Sequence, residues 1–196
     1  MPFALTIFAY LLGSIPSGYV VGTLAGVDVR KAGSGNIGAT NVARTLGKRL
    51  GVLTLLADTA KGYLPVLIAL WLELTPLAVS LVAIGAFFGH LYPLFLRFRG
   101  GKGVATAFGA LLAIAPGATL ILVGAFGVVI LSSRRISLGS ITAALVAPFA
   151  LWSVSAAAPF IAMSVVLGAM VIVRHRDNIK RLLAGTEPRF GSANSR

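Results

Sequence analysis

Residues 77–96 read LAVSLVAIGAFFGHLYPLFL, an apolar run of twenty residues that contains no Asp, Glu, Lys or Arg. A helix that crosses a bilayer needs about 20 such residues, so this run predicts a membrane span. The composition of the whole chain agrees, because 57% of its 196 residues are hydrophobic and only 11% are charged. Soluble domains carry about 25% charged residues. The sequence therefore predicts an all-α integral membrane protein.

Six further apolar runs make seven predicted transmembrane helices in a single domain of residues 1–196. The fourth run is short for a full crossing. Pro16 predicts a kink in the first run, because proline removes one helix hydrogen bond. No small-residue cleavage site follows that run, so it is interpreted as a retained span and not a signal peptide. The predicted spans are 3–24, 50–72, 77–96, 103–115, 117–133, 138–153 and 159–173, with a polar tail over 174–196.

The distribution of charge predicts how these spans are oriented. Sixteen of the 17 Lys and Arg residues lie in four segments, 30–49, 97–102, 134–135 and 174–196, and the joins that alternate with them have none. Basic loops remain cytoplasmic, which places the N-terminus outside, in the periplasm, and the C-terminus in the cytoplasm. The net charge of +12 comes from these loops, so anionic lipid or an anionic substrate is favoured over nucleic acid as the partner.

The segment KAGSGNIGATNVAR, residues 31–44, separates the first two spans. Glycines let a ligand approach the main chain, and successive bare N–H groups form an anion-binding nest. Three glycines are combined here with a cation at each end: Gly33, Gly35, Gly38, Lys31 and Arg44. The segment therefore predicts a phosphate site, although its spacing matches neither the dinucleotide nor the ATP-binding motif. An ordinary polar loop between membrane helices is the alternative.

A second basic segment, RFRGGKG at residues 97–103, places two arginines and a lysine around three glycines. The helix predicted to begin near Val104 would direct its N-terminal N–H groups at a bound anion. A cytoplasmic loop that is basic only for reasons of topology is the alternative. Two such loops on one membrane face nevertheless favour a substrate that carries phosphate.

Isolated polar residues inside the spans each allow two interpretations. Asp58 and Lys61 share one helix face, so they form either a structural pair or a substrate contact. His90 is either a core histidine or a base, and Ser140 either donates to a ligand or bonds its own helix. In the amphipathic tail, the four-residue spacing of Asp177 and Arg181 allows them to meet. With two histidines, five acids and no cysteine, no metal, cofactor or thiol chemistry is expected.

Three motifs, in this order, resemble the bacterial membrane acyl-phosphate:glycerol-3-phosphate acyltransferases (PlsY type). They are GSGNIGATNVAR (33–44), GHLYP (89–93) with GGKGVAT (100–106), and HRDNIKRLLAGTE (175–187). The resemblance covers nearly the whole chain. It implies a multi-pass protein of the inner membrane, active on its cytoplasmic face, that needs no cofactor and no obligate protein partner. The implied reaction transfers a fatty acyl group from acyl phosphate to the 1-hydroxyl of glycerol 3-phosphate, giving lysophosphatidic acid and inorganic phosphate, the first step of phospholipid synthesis.

The resemblance also implies roles for individual residues. One phosphate and the reacting carbonyl would be held by the Gly33–Gly38 backbone, including Gly35, with Ser34, Asn36, Thr40 and Asn41. Arg44 and Lys102 would supply charge, and Gly100, Gly101 and Gly103 would cradle the acyl phosphate. Glycerol 3-phosphate would be oriented by His175, Asn178 and Arg181, with help from Ser140.

The sequence leaves several alternatives open. The proton of the attacking hydroxyl goes either to His90 or, as the resemblance favours, to the departing phosphate. Ser34 as a covalent nucleophile is disfavoured because no acid–histidine relay is evident. A permease for an organic phosphate would use the same loops, but the chain has no internal repeat. A phosphatidyl-transferring enzyme would need clustered aspartates, whereas Asp28, Asp58 and Asp177 are scattered. A purely structural membrane partner would need no phosphate loops.

Overall fold

The computed structural model describes residues 1–191, and this part of the chain is entirely helical apart from its turns and loops. It contains ten α-helices and one short 3-10 helix at Leu94–Leu96. In chain order the helices are α1 Pro2–Gly13, α2 Ser17–Leu24, α3 Ala39–Leu46, α4 Lys48–Trp71, α5 Pro76–Leu91, α6 Val104–Ile114, α7 Pro116–Ser133, α8 Ile136–Ser153, α9 Ala158–Arg174 and α10 Arg176–Leu183.

These helices form two compact units, one of residues Met1–Ile114 and one that begins at Ala115. In the first unit, α4 packs against every other α-helix, and the segment Pro76–Leu96, which contains α5, is the most buried candidate span. Helix α1 packs along α5, and α4 packs along α6. In the second unit, α8 lies between α7 and α9, and α10 follows α9 at an angle of 60°.

Glycines bring the paired helices of the first unit into backbone contact. A Cβ atom added to Gly62 of α4 would lie 1.9 Å from the carbonyl oxygen of Thr106 on α6. In return, a Cβ on Gly109 would lie 2.0 Å from the carbonyl oxygen of Thr59. Helices in membranes commonly associate through such small residues, because lipid supplies little hydrophobic drive between them. The α4–α6 pair is therefore fixed in register where no side chain separates the two backbones.

The first predicted span is interrupted where the sequence predicts a kink. Helix α1 ends at Gly13 and α2 begins at Ser17, with Pro16 as the residue that precedes α2. Proline cannot donate a backbone hydrogen bond, so the helix cannot continue regularly through this point. The ammonium of Lys61 donates to the carbonyl oxygen of Ile15 and so satisfies part of the exposed backbone at the break. The kink prediction is confirmed.

The span predicted over 77–96 agrees with the apolar helical segment Pro76–Leu96. Its α-helix ends at Leu91, because Pro93 disfavours the helical conformation of Tyr92 and has no N–H of its own, and a 3-10 helix follows at Leu94–Leu96. One other sequence prediction needs correction. The segment predicted as a polar loop over 31–44 is a loop only in its first half, since α3 begins at Ala39. The remaining predicted helix limits agree with the structure to within two residues.

The number of crossings is established only in part. In the described residues, five helical segments are long and apolar enough to cross a membrane, and a sixth is obtained when α9 and α10 count as one bent span. Helix α6 is apolar but has 11 residues, a length of about 16 Å. The seven-span count, the orientation and the single-domain interpretation therefore stay predictions. The predicted tail over 174–196 forms α10 and a loop, and its last residues, 192–196, lie outside the described residues.

Candidate active site

The first glycine-rich loop is held in shape by Asn41, which α3 places beneath it. The Asn41 side chain is 2% exposed. Its Oδ1 accepts the backbone N–H of Ser34 over 2.8 Å, and its Nδ2 donates to the carbonyls of Val29 and Ala32, each over 3.0 Å. One buried amide thus ties three points of the loop together, and this leaves the Ser34 hydroxyl at the exposed surface.

Backbone conformation explains the glycines of this loop. Gly33 and Gly35 have φ values of +59° and +70°, which residues with a Cβ atom rarely adopt. A Cβ on Gly33 would also lie 2.3 Å from Oδ1 of Asn41. The Asn36 side chain accepts the N–H of Gly38 over 2.8 Å and so closes a tight turn directly before α3. The first turn of α3 then carries Thr40 at the surface.

A small apolar core anchors the loop to the helices below it. Val29, Ile37 and Val42 are buried together. Gly18 of α2 makes the close approach possible, since a Cβ there would lie 1.9 Å from the carbonyl oxygen of Ile37. Arg44 projects from the other side of α3 and is exposed. The loop therefore combines a rigid base with an exposed rim that carries a hydroxyl and a guanidinium group.

An exposed ion pair precedes the loop. Asp28 receives two hydrogen bonds from the Arg30 guanidinium, over 2.8 and 2.9 Å, and the same guanidinium lies 4.4 Å from the centre of the Tyr19 ring. The side-chain hydrogen bonds from Arg30 lower the pKa of Asp28 to about 2. The carboxylate is therefore charged throughout the physiological range, and Arg30 is engaged by Asp28 and Tyr19.

The second glycine-rich loop is built against the end of α5. The N–H groups of Gly100 and Gly101 donate to the carbonyls of Leu91 and His90, over 3.1 and 3.2 Å. A Cβ on Gly101 would lie 2.2 Å from Nε2 of His90, so the histidine ring contacts the loop directly. Gly103, with φ +81°, is buried and ends the loop before α6 begins at Val104. Lys102 is half-buried between these last two glycines.

A buried cluster of three polar residues, Asp58, Lys61 and His90, lies beside this loop. Lys61 donates to Oδ1 of Asp58 over 2.7 Å, and Nδ1 of His90 lies 3.7 Å from the same oxygen. All three residues are at most 5% exposed. The predicted Asp58–Lys61 pair is present, and of the two interpretations given above the structural one agrees with this burial. His90 is enclosed by protein and packed against Gly101.

In the second unit, a carboxylate is the centre of a polar cluster. Glu187 accepts hydrogen bonds from Ser137 and Asn178 at Oε1, each over 2.6 Å, and from Nε of Arg181 at Oε2 over 2.7 Å. Its backbone N–H also donates to the carbonyl of Arg181 over 3.1 Å. Glu187 thereby joins the start of α8, helix α10 and the following loop.

The environment of Glu187 affects its pKa in two opposing ways. Burial raises the pKa of this carboxyl group, because it disfavours the charged form. Hydrogen bonds from Ser137, Asn178 and Arg181, together with the charge of Arg181, outweigh burial and bring the pKa below the usual value of a glutamate. The carboxylate form is therefore the one that holds the cluster together.

Two further predicted site residues lie in this unit. His175 stands between α9 and α10, is 3% exposed, and its Nδ1 lies 2.8 Å from the carbonyl oxygen of Val171. The hydroxyl of Ser140 donates to the carbonyl of Ile136 over 3.0 Å, as the alternative interpretation of this serine predicts. Neither contact assigns a substrate to these residues.

Sequence reasoning assigned no role to Glu187. Arg181 binds Glu187, whereas Asp177, which its spacing allows to meet Arg181, lies at the exposed surface beside Arg176. Glu187 is nine residues from Asn178 and fifty from Ser137, so no local periodicity connects the three. Glu187 is one of two acids in this basic tail, the other being Asp177, and this scarcity of acids was the one available signal.

The comparisons with known proteins give the family. The chain matches the family described as glycerol-3-phosphate acyltransferase over residues 3–185. This chain belongs to that family. It is an acyltransferase that acts on glycerol 3-phosphate and an integral membrane protein, and the recognition made from the three motifs is confirmed.

Members of this family resemble the chain over nearly its full length. The glycerol-3-phosphate acyltransferase of Geotalea daltonii is 50% identical over 186 residues, which are 95% of this chain and 96% of the relative. That of Geobacter metallireducens is 54% identical over 182 residues, 93% of this chain and 94% of the relative. The high identity over whole chains extends the family assignment to both units.

Crystal structures of a family member agree with the fold. PlsY (YgiH), an integral membrane glycerol 3-phosphate acyltransferase, is similar in its glycerol 3-phosphate form, with a TM-score of 0.94 at 45% identity over 97% of this chain and 96% of that one. Its lysophosphatidic acid form has a TM-score of 0.91 at 44% identity over 97% and 95% of the two chains. The all-helical arrangement is thus that of an integral membrane acyltransferase.

Proposed function

We propose that this acyltransferase uses a fatty acyl phosphate as donor and produces lysophosphatidic acid and inorganic phosphate. The hydroxyl on C1 of glycerol 3-phosphate attacks the acyl carbonyl carbon, a new ester bond forms, and the bond from that carbon to the phosphate oxygen breaks. The observation that carries the proposal is the loop Gly100–Gly103, whose glycines pack closely against α5 and hold Lys102 directly before the N-terminus of α6. Helix N-termini bind phosphate through their free N–H groups.

The donor phosphate is assigned to this second loop, and the first loop is assigned to a phosphate and the reacting carbonyl. Ser34, Asn36 and Thr40 would contribute hydroxyl and amide groups, and Arg44 would contribute charge. Asn41 would act through the shape of the loop, because its amide is occupied by three backbone contacts. Preorganised donors aimed at a developing oxyanion are usually the largest single contribution to such a reaction.

Glycerol 3-phosphate is assigned to residues of the second unit. His175 and Asn178 would orient it, Arg181 would pair with its phosphate, and Ser140 would assist. The relative PlsY has a glycerol 3-phosphate form and a lysophosphatidic acid form, which supports the same acceptor and product for this chain. Glu187 would keep Asn178 and Arg181 in place from beneath.

The proton of the attacking hydroxyl is assigned to the departing phosphate. His90 is buried against Gly101 and beside Asp58, so it is poorly placed to take a proton from a substrate that enters from water. The leaving phosphate, in contrast, is formed next to the hydroxyl that loses the proton. Positioning of the two substrates would then supply most of the rate enhancement.

The reaction is placed at the cytoplasmic face of the bacterial inner membrane, with the bilayer as the source of the acyl donor and no obligate protein partner. The concentration of Lys and Arg in four alternate segments supports this orientation. Glycerol 3-phosphate is water-soluble, so it would enter from the cytoplasm.

One assay tests the proposed donor. Purified protein in lipid receives radiolabelled glycerol 3-phosphate with palmitoyl phosphate or, in parallel, with palmitoyl-CoA, each with and without EDTA. We expect lysophosphatidic acid from the acyl phosphate alone, and EDTA should have no effect. Product from the thioester alone would contradict the proposed donor. Flux of glycerol 3-phosphate into proteoliposomes without product would instead support the permease.

A serine variant tests the covalent alternative. Ser34→Ala should lower turnover by about 100-fold, the usual cost of one lost oxyanion donor. Ser132→Ala is the matched control, because the Ser132 hydroxyl is exposed and bonds only its own helix. Wild-type protein mixed with labelled acyl phosphate should retain no label after denaturation. A hydroxylamine-sensitive label that disappears in Ser34→Ala would establish a covalent acyl-serine and contradict direct transfer.

A further inference from the structure

Asp58 contacts the chain on both sides of the glycine loop Gly100–Gly103. Its carboxylate lies 3.7 Å from Nδ1 of His90, ten residues before the loop. Its backbone carbonyl accepts the hydroxyl of Thr106, three residues after the loop, over 3.1 Å. One residue of α4 therefore contacts both segments that lead into and out of this loop.

His90 connects Asp58 to the loop, because it lies beside Asp58 and contacts Gly101. The carbonyl of His90 accepts the N–H of Gly101, and the His90 ring lies so close that a Cβ on Gly101 would be 2.2 Å from Nε2. Gly101 therefore has contacts with both the backbone and the ring of His90. The His90 ring therefore occupies the space that a side chain at position 101 would need.

Lys61 holds the carboxylate of Asp58 from the other side. Its ammonium donates to Oδ1 of Asp58 over 2.7 Å and also to the carbonyl of Ile15 at the break between α1 and α2. Asp58 and Lys61 are 2% and 5% exposed. Burying such a pair has a large desolvation cost, and apolar residues of similar volume are often equally stable or more so. Stability alone therefore does not explain this pair.

We propose that Asp58 is a positioning residue of the acyltransferase reaction. With its charge balanced and its place fixed by Lys61, it holds the His90 ring against Gly101 and so fixes the loop in the shape that receives the donor phosphate. Asp58 itself touches no substrate. The proposal rests on the proposed function of this loop as the donor phosphate site.

Three variants separate positioning from simple charge balance. Asp58→Asn combined with Lys61→Met removes both charges, so no buried charge is left without a partner. Asp58→Glu keeps the charge but moves the carboxylate by one methylene. Ser80→Ala is the matched control, since Ser80 is also buried and polar but bonds only its own helix. Each variant is assayed for its thermal midpoint in detergent, for kcat and for KM of both substrates.

We expect the double variant and Asp58→Glu to remain folded, with thermal midpoints near the wild type. Both should lose about tenfold or more in kcat/KM for the acyl donor, because a misplaced loop costs rate without unfolding the protein. Their KM for glycerol 3-phosphate should change less than twofold, and Ser80→Ala should match the wild type. Wild-type kinetics in the double variant would overturn the proposal, as would full activity in Asp58→Glu. The proposal would also be overturned if kcat/KM fell equally for both substrates and only as far as the fraction of unfolded protein explains.

The wild-type enzyme is measured first with acyl phosphate and with the thioester. If only the thioester reacts, the proposed donor is wrong, and the variants are then compared with the thioester as donor. A selective loss of kcat/KM for that donor would still support positioning by Asp58. The proposed donor and the positioning role of Asp58 can therefore be overturned independently of each other.

Discussion

The side-chain amide of Asn178 donates to the carboxylate of Glu187 over 2.6 Å. Asn178 belongs to the set proposed to hold glycerol 3-phosphate, and Glu187 was not predicted as part of any site. The amide is 7% exposed, and its orientation is fixed by a residue nine positions later in the chain. A substrate contact of Asn178 would therefore depend on the charge of Glu187.

Glu187→Gln should lower both the stability and the activity of the protein. The neutral amide cannot accept all three hydrogen bonds, so we expect a loss of about 1–3 kcal/mol in the free energy of unfolding at pH 7. KM for glycerol 3-phosphate should also rise. Thermal unfolding in detergent and initial-rate kinetics measure the two effects. Asp177→Asn, at the exposed surface of the same helix, is the control and should behave as the wild type.

The same residue predicts a pH dependence. The pKa of Glu187 is lower in the folded protein than its usual value of 4.5, so its stabilising contribution is complete above about pH 4.5. It is lost as the pH falls through the lowered value. The difference in thermal midpoint between wild type and Glu187→Gln should therefore shrink on acidification below pH 4.5. A difference that grows on acidification would contradict the hydrogen-bonded carboxylate.

Asn41→Ala should disrupt the first glycine loop. The change removes three hydrogen bonds from a buried position and leaves the Val29 carbonyl without its side-chain donor. Each such group costs about 1–3 kcal/mol, so turnover and stability should fall together. Asn41→Asp should be equally harmful, because a carboxylate cannot donate to the two carbonyls. The control is Thr45→Val on the same helix, which removes only bonds within α3. Normal turnover in Asn41→Ala would show that the loop keeps its shape without this amide.

Gly101→Ala should be among the most damaging single substitutions in the second loop. Its Cβ would lie 2.2 Å from Nε2 of His90, so either the ring or the loop must move. We expect kcat/KM for the acyl donor to fall about 100-fold. Gly124→Ala on α7 is the control, because a Cβ there would meet nothing within 4 Å, and it should be neutral or slightly stabilising. Equal activity of the two variants would show that the His90–Gly101 contact is unimportant.

His90→Gln tests the source of the base. If the departing phosphate takes the proton, the variant should lose turnover through the loop but keep the acidic limb of the pH–rate profile. A side-chain base would show the opposite, since the acidic limb would flatten when the imidazole is removed. Rates with acyl phosphate between pH 5 and pH 9, in about half-unit steps, decide between the two.

Much of the helical arrangement was predictable from the sequence, because apolar runs between basic segments determine where spans begin and end. The Asp58–Lys61 pair was predictable as well, since residues three apart share a helix face. Helix α3 was not, because the glycine and asparagine content of residues 31–44 indicates a loop, whereas Asn41 and the core around Val42 stabilise a helix there.

The contacts that shape the candidate site were largely beyond sequence reasoning. Glu187 meets Ser137 across fifty residues, and Asp58 meets Thr106 across forty-eight. Contacts of this kind depend on tertiary packing, which periodicity does not encode. Spacing allowed Asp177 and Arg181 to meet, but it could not show that the fold brings Glu187 to Arg181 and leaves Asp177 beside Arg176.

The break between α1 and α2 has a consequence for how the protein is made. Its Ile15 carbonyl is bonded by Lys61, a residue that is synthesised 46 positions later. Within lipid, an exposed polar backbone group is costly until another helix or a side chain satisfies it. The Ile15 carbonyl also accepts the backbone N–H of Ser17 over 3.0 Å, so it has one partner within its own segment before α4 is synthesised. Lys61 adds a second partner, which joins the break to α4 once both segments are in place.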